Sequence, residues 1–196
     1  MATRHNPRFK ECRRLGVNVC GHPKAMNRTS QTMRRTRKLS EYGQQLIEKQ
    51  KIKAYYGLME RQLLRYFKNA LKSKGRTGES LILSLECRLD NLVYRMGFAN
   101  SIRMARQMVN HGHFLVDGKK VNIPSCAIKV GQEISLKESD RKNIQFSDCF
   151  LKGSHFIPNY VEIDQKNFSG KLVSLPPREE IPIEVDDQMV VGFYTK

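Results

Sequence analysis

The chain lacks any run of about 18 apolar residues that could cross a bilayer, and its first residues, MATRHNPRFKECRRLG, lack the apolar stretch of a secretory signal. A soluble protein with no membrane partner is the expectation. There is no CxxC pair: Cys12, Cys20, Cys87, Cys126 and Cys149 form an odd, widely spaced set, which suits reduced thiols in a cytosol-like compartment and predicts no disulfide. Also missing are G-x-x-x-x-G-K-[ST], H-E-x-x-H, G-x-S-x-G and any nucleophile with an evident base. The expectation is therefore a protein that is not an enzyme and takes no cofactor or small-molecule substrate.

What is scarce at the start of the chain is acid. Residues 1 to 76 hold 20 Lys and Arg against 4 Asp and Glu, while residues 77 to 196 hold 15 of each. The whole net charge of +16 therefore lies in the first part of the 196 residues. Solubility alone needs far less, so a polyanionic partner is the natural reading.

Local patterns divide the chain into a basic arm at 1–39, a helical domain at 40–86 completed by the tail 178–196, and a second domain at 87–177. The arm has few large apolar residues and should order only against a partner. Ser40 caps a helix over about 41–55, and Gly57 separates it from a second over about 58–74, closed by Gly75. In the second, Met59, Leu63, Phe67 and Ala70/Leu71 recur at helical spacing, and Arg61, Arg65, Lys68 and Lys72 form another stripe. SLILSLECRLDNLVYRMGF reads as a third helical region ending at Gly97. The turn-like GRTGE before it superficially resembles a GxxG backbone clamp, but a helix-breaking turn is the better reading. Asn100 or Ser101 caps a further helix, 102–110, whose polar stripe is Arg103, Arg106, Gln107 and Asn110. HFLVDGKKVNI reads as a hairpin about Asp117-Gly118. Runs at 133–136, 156–163 and 171–175 predict a small sheet, so the fold class is α+β. MVVGFY in the tail should pack back onto a core.

A capped helix with an Arg/Gln/Asn stripe, followed by a glycine-turned hairpin, aims side chains and backbone N–H groups at phosphates and 2′-hydroxyls. Residues 88–134, RLDNLVYRMGFANSIRMARQMVNHGHFLVDGKKVNIPSCAIKVGQEI, resemble the RNA-binding module of the ribosomal protein S-four family, the alpha-L motif, with its core at 88–137. LSEYGQQLIEKQKIKAYYGLMERQLLRYF (39–67) and GRTGESLILSLECRLDNLVYRMGF (75–98) are similar to the helical domain of bacterial or organellar members. The resemblance implies a structural constituent of the small ribosomal subunit that binds 16S-type rRNA directly and early in assembly. It further implies a place near protein S-five and where mRNA enters, a contribution to translational accuracy, and residence in cytoplasmic or organellar ribosomes.

The candidate RNA contacts in the arm are Arg4, Arg8, Arg13, Arg14, Arg28, Arg34, Arg35, Arg37 and Lys38. The helical domain adds Lys49, Lys51, Lys53, Arg61, Arg65, Lys68 and Lys72. Matching the module residue by residue adds Arg88, Arg95, Arg103, Arg106, Gln107, Asn110, His111 and Lys119, with His113 a further possible contact. Of these, the 103–110 stripe is the leading candidate for direct contact. Asp90 is better read as bracing a neighbouring arginine or capping a helix than as facing phosphate, Asn91 and Tyr94 serve packing or contact equally well, and Gly112 and Gly118 are backbone requirements. Cys12, Cys20 and His22, with His5, could supply zinc ligands, but C-x7-C-x-H is poor spacing and no metal is expected. Two rivals remain: an RNA-modifying or tRNA-charging enzyme carrying the same module, for which too little chain is left, and a free-standing RNA-binding translational regulator.

Overall fold

The computed structural model describes residues 6–27, 39–152 and 157–195. The chain divides into two compact units. One is built from residues up to Leu81 together with those from Pro182 onward, and the other from Ile82–Ile181. Among the described residues the architecture is α+β, with helices in both units and one antiparallel sheet.

The first unit is helical. α1 (Arg8–Leu15) ends at Gly16 in the left-handed conformation, and a 3₁₀ turn follows at Pro23–Met26. The expectation that this region orders only against a partner does not hold for residues 6–27. Cys12, Leu15, Val19 and Ala25 are buried, with Ile47, Ala54 and Tyr55 of the next helix packed on them. Cys12 and Leu15, three apart, share one face of α1, and Val19 and Ala25 from beyond Gly16 join them, so a small core forms from few apolar residues.

α2 (Glu41–Tyr55) opens with the Ser40 hydroxyl accepting from the Gly43 N–H at 3.3 Å. α3 (Glu60–Ala70) buries Leu63, Phe67 and Ala70, ending earlier than the pattern predicted. α4 (Thr77–Glu86) begins after Gly75, whose φ of 121° only glycine adopts freely. The last helix, α9 (Asp187–Thr195), buries Val190 and lies on α2. Its Phe193 ring sits 5.5 Å from Tyr42, and its Tyr194 ring 4.6 Å from Phe67.

Glu60 ties this unit together electrostatically. It accepts from Lys49 at 3.0 Å, Lys53 at 2.7 Å and the Tyr194 hydroxyl at 2.9 Å. Burial alone would raise its pKa, but the hydrogen bonds from Lys53, Lys49 and Tyr194 outweigh that and hold the carboxyl at about 2. A carboxylate depressed by folding stabilises the fold above its ordinary range and loses that contribution as pH falls toward the depressed value. Urea midpoints of the first unit should therefore fall between about pH 5 and 2, and Glu60→Gln should flatten that slope; an unchanged slope would remove Glu60 as its source.

The second unit carries α5 (Leu89–Arg95), α6 (Ile102–His111) and a five-stranded sheet. The strands are β1 (Phe114–Val116), β2 (Lys119–Lys120), β3 (Glu133–Leu136), β4 (Val161–Asp164) and β5 (Ser169–Leu172), in the order β2-β1-β3-β5-β4 and antiparallel throughout. α7 (Glu138–Arg141) and α8 (Ile144–Lys152) follow β3. Its core stacks Phe98 on Phe150 at 4.1 Å and sets Phe114 edge-on to Phe98 at 5.2 Å. Burying such rings contributes roughly 1.5–3 kcal/mol each.

The helical stretch expected across 80–97 is two helices. Arg88 adopts an extended conformation and bridges Ala127. The Ile128 N–H reaches the Cys87 carbonyl at 2.8 Å, and Leu89 N–H the Cys126 carbonyl at 2.9 Å. A long-range pairing takes the backbone groups that a continuous helix would have used.

Candidate nucleic-acid interface

The cations separate into those facing outward and those consumed inside the fold. On α3, Leu63, Phe67 and Ala70 turn inward, which leaves Arg61, Arg65 and Lys68, and Lys72 beyond the helix end, exposed on another side. On α1, burial of Cys12 and Leu15 leaves Arg8 and Arg14 exposed and Arg13 half-exposed, with Lys10 exposed beside them. Lys10 was not among the sequence candidates, although Arg8 and Arg13 of the same helix were.

Lys49, Lys51 and Lys53 do not belong to this surface. Lys49 and Lys53 flank Glu60, Lys51 pairs with Glu48 at 2.6 Å, and all three side chains are largely covered. Lys49 also lies 3.9 Å from the Phe193 ring centre. A stretch with a lysine at every second position looked like a cationic face, but the acids that neutralise it come from Glu48 and from the next helix. Arg4, Arg28, Arg34, Arg35, Arg37 and Lys38 lie outside the described residues.

In the second unit, three predicted contacts are internal. Asp90 is fully buried and accepts two hydrogen bonds from Arg88, at 2.9 and 2.7 Å. It takes two more from Arg106 on α6, at 2.8 and 2.6 Å. Glu86, also fully buried, accepts from Arg95 at 2.8 and 3.3 Å, from the Asn91 amide, and from the Tyr160 hydroxyl at 3.3 Å. Arg88 and Arg95 are therefore structural counter-ions, because a buried carboxylate persists as a charge only when paired and hydrogen-bonded. Asn91 packs inside as well. Arg106 is the outermost member of the network, its side chain 14% exposed. Its helical spacing puts it on the polar stripe, yet its guanidinium is turned to Asp90.

The remaining stripe stays at the surface. Ser101 caps α6 by accepting from the Met104 N–H at 3.3 Å, and Gly112 closes it with φ of 74°. Burial of Ala105, Met108 and Val109 leaves Arg103, Gln107 and His111 exposed and Asn110 half-exposed. Asp117 and Gly118, with φ of 48° and 75°, make the tight turn that the sequence predicted, and present Lys119 and Lys120. The Asp117 carboxylate accepts from the Glu133 N–H at 3.0 Å and the Gln132 amide at 2.6 Å. These bonds hold its pKa below the usual carboxylate range and pin the hairpin to β3. Lys120, absent from the predicted set, passes so close to Gly112 that a Cβ there would meet its side chain. Its place beside Lys119 in a two-residue strand was the available signal. His113 turns to Asp140, with Nδ1 2.7 Å from Oδ2, and stays part-exposed.

The exposed side of the sheet has the opposite charge. Glu133, Lys171 and Glu162 are cross-strand neighbours on β3, β5 and β4, with Asp164 at the end of β4, and all are exposed. On α6 and the hairpin, by contrast, Arg103, Lys119 and Lys120 are exposed, the two lysines with no acidic cross-strand neighbour among the strand pairings, and they can neutralise phosphates. Lys129, Lys142 and Lys166 are exposed elsewhere in the unit. Cys12 is buried, and the His22 Nδ1 accepts from the Lys24 N–H at 3.1 Å. Among the described residues no three His, Cys, Asp or Glu side chains form a metal-ligand group.

Residues 3–86 match the family described as the ribosomal protein S4/S9 N-terminal domain, and residues 87–134 match the S4 domain. The chain is 50% identical over 198 residues to small ribosomal subunit protein uS4B of Clostridium acetobutylicum, and 48% identical over 200 residues to uS4 of Finegoldia magna, with both chains covered in full in each case. It is 47% identical to uS4 of Brevibacillus brevis, with 97% of each chain covered. The chain belongs to the uS4 family of small ribosomal subunit proteins. The uS4 S4 domain begins at Cys87, where the long-range pairing to residues 126–128 breaks the helical run. All of α6 and the hairpin lies inside it.

Proposed function

We propose that the chain is a structural constituent of the small ribosomal subunit that binds small-subunit rRNA directly, through two kinds of surface. The outward cations of α1 and α3 neutralise phosphates and supply affinity. Arg103, Gln107, Asn110, His111, Lys119 and Lys120, on a helix tied to Asp90 through Arg106 and a hairpin pinned to β3 through Asp117, fix position. The observation that carries this reading is the division of arginines and lysines in a chain of charge +16: some are spent as internal counter-ions, while whole helix faces remain outward. Family resemblance extends the proposal to binding early in assembly, contact with protein S-five, a place near where mRNA enters, a contribution to accuracy and residence in cytoplasmic ribosomes.

Sedimentation tests it. In high salt the chain should co-migrate with small subunits at one copy per particle. A mostly free pool, present in far fewer copies than subunits, would sink the structural reading and favour a free-standing regulator.

A further inference from the structure

Two thiols that the RNA-binding reading leaves unused converge on a single atom. Cys12, on α1, is fully buried, and Cys20, just before the Pro23–Met26 turn, is half-buried. The Cys12 Sγ lies 3.9 Å from Oδ1 of Asn18, and the Cys20 Sγ lies 3.5 Å from the same oxygen. The Asn18 amide is held in turn, its Nδ2 donating to the His22 carbonyl at 3.1 Å. Asn18 thus gathers both sulfurs from either end of a short loop.

We propose that Cys12 and Cys20 form a redox modification site, a dithiol that closes to an intramolecular disulfide on meeting a peroxide and reopens with a small thiol reductant. The accessible Cys20 reacts first. Its thiolate attacks a peroxide oxygen, an S–O bond forms, the O–O bond breaks, and the departing hydroxide takes up a proton as water. The sulfur has lost two electrons to the peroxide and is now a sulfenic acid. The Cys12 sulfur then attacks the Cys20 sulfur; an S–S bond forms, the S–O bond breaks, and hydroxide leaves with the Cys12 proton as a second water. Two thiols and one hydrogen peroxide become one disulfide and two waters. Burial pushes the Cys12 thiol up from its ordinary range, which suits it to wait as the resolving partner rather than to meet oxidant directly. The ring so closed spans residues 12–20 and contains Arg13 and Arg14, so oxidation stiffens a segment that bears RNA-facing cations.

The test uses the full chain and hydrogen peroxide at one equivalent. The expected product has lost two hydrogens by intact mass, and trypsin releases ECR (11–13) joined to LGVNVCGHPK (15–24). Dithiothreitol restores the original mass. Cys20→Ser, at a half-exposed turn, should keep the far-ultraviolet dichroism of the parent and lose the two-hydrogen change. Cys12→Ser should leave a Cys20 sulfenic acid that dimedone traps. The proposal is overturned if the parent shows no two-hydrogen loss, if the bond maps to Cys87, Cys126 or Cys149, if chains become cross-linked to each other, or if Cys20→Ser still closes a disulfide.

Discussion

Asp90→Ala should unfold the second unit, or leave it folded only marginally. The carboxylate is fully buried and is shared by Arg88 and Arg106. Its removal strands two guanidinium groups, one of them 4% exposed. Breaking a buried pair by deleting one partner costs about 3–5 kcal/mol, against a total of roughly 5–15 kcal/mol for a folded domain. Hydrogen exchange should show protection lost across α5, α6 and the sheet, while α2 and α3 stay protected. Arg106→Ala tests the same junction from its outer side and should destabilise less, because Asp90 keeps both hydrogen bonds from Arg88. If Asp90→Ala left protection in α5 and α6 unchanged, the internal reading of Arg106 would fall, and its assignment as an RNA contact would return.

The second large effect is on binding rather than stability. Changing Arg61, Arg65, Lys68 and Lys72 together to Gln removes four outward charges and keeps good helix formers in place. If each contacts a phosphate, the slope of log affinity against log salt should flatten by about 0.7–0.9 per contact, or about 3 in all. At ~0.1 M salt the same relation gives an affinity loss on the order of a thousandfold. Exposed substitutions of this kind usually change stability by under about 0.5 kcal/mol, so the melting temperature should barely move. Filter binding across a salt series checks both numbers, and an unchanged slope would assign the α3 face to solvent.

Local signals made much of this fold legible. Ser40 marked one helix start and Asn100 or Ser101 another, which the structure settles by the Ser40 and Ser101 hydroxyls, and Asp117-Gly118 marked a turn that needs two positive φ values. What stayed hidden depends on distant partners. The break at Cys87 and Arg88 needs residues 126–128 to take over the backbone hydrogen bonds, and nothing in SLILSLECRLDNLVYRMGF itself forbids a helix. The place of Arg106 on a helix face was legible; its bond to Asp90 was not, because Asp90 lies 16 residues earlier on another helix. The pairing of Lys49 and Lys53 was hidden for the same reason, with Glu60 being 11 and 7 residues away. Helical spacing tells which residues share a face; it does not tell which opposite charge arrives to meet them.

The packing of α9 on α2 has a consequence for the order of events on a translating ribosome. The unit that starts first in the chain receives its last pieces, Val190, Phe193 and Tyr194, from near the other end. The intervening hundred or so residues, Ile82–Ile181, emerge whole before those pieces do. At about 5–20 residues per second, that leaves the nascent first unit without its closing helix for roughly 5–20 s. During that interval Phe67 and the Glu60 cluster lack their Tyr194 partner. The segment begun first is thus completed last, after the middle of the chain has already had time to fold.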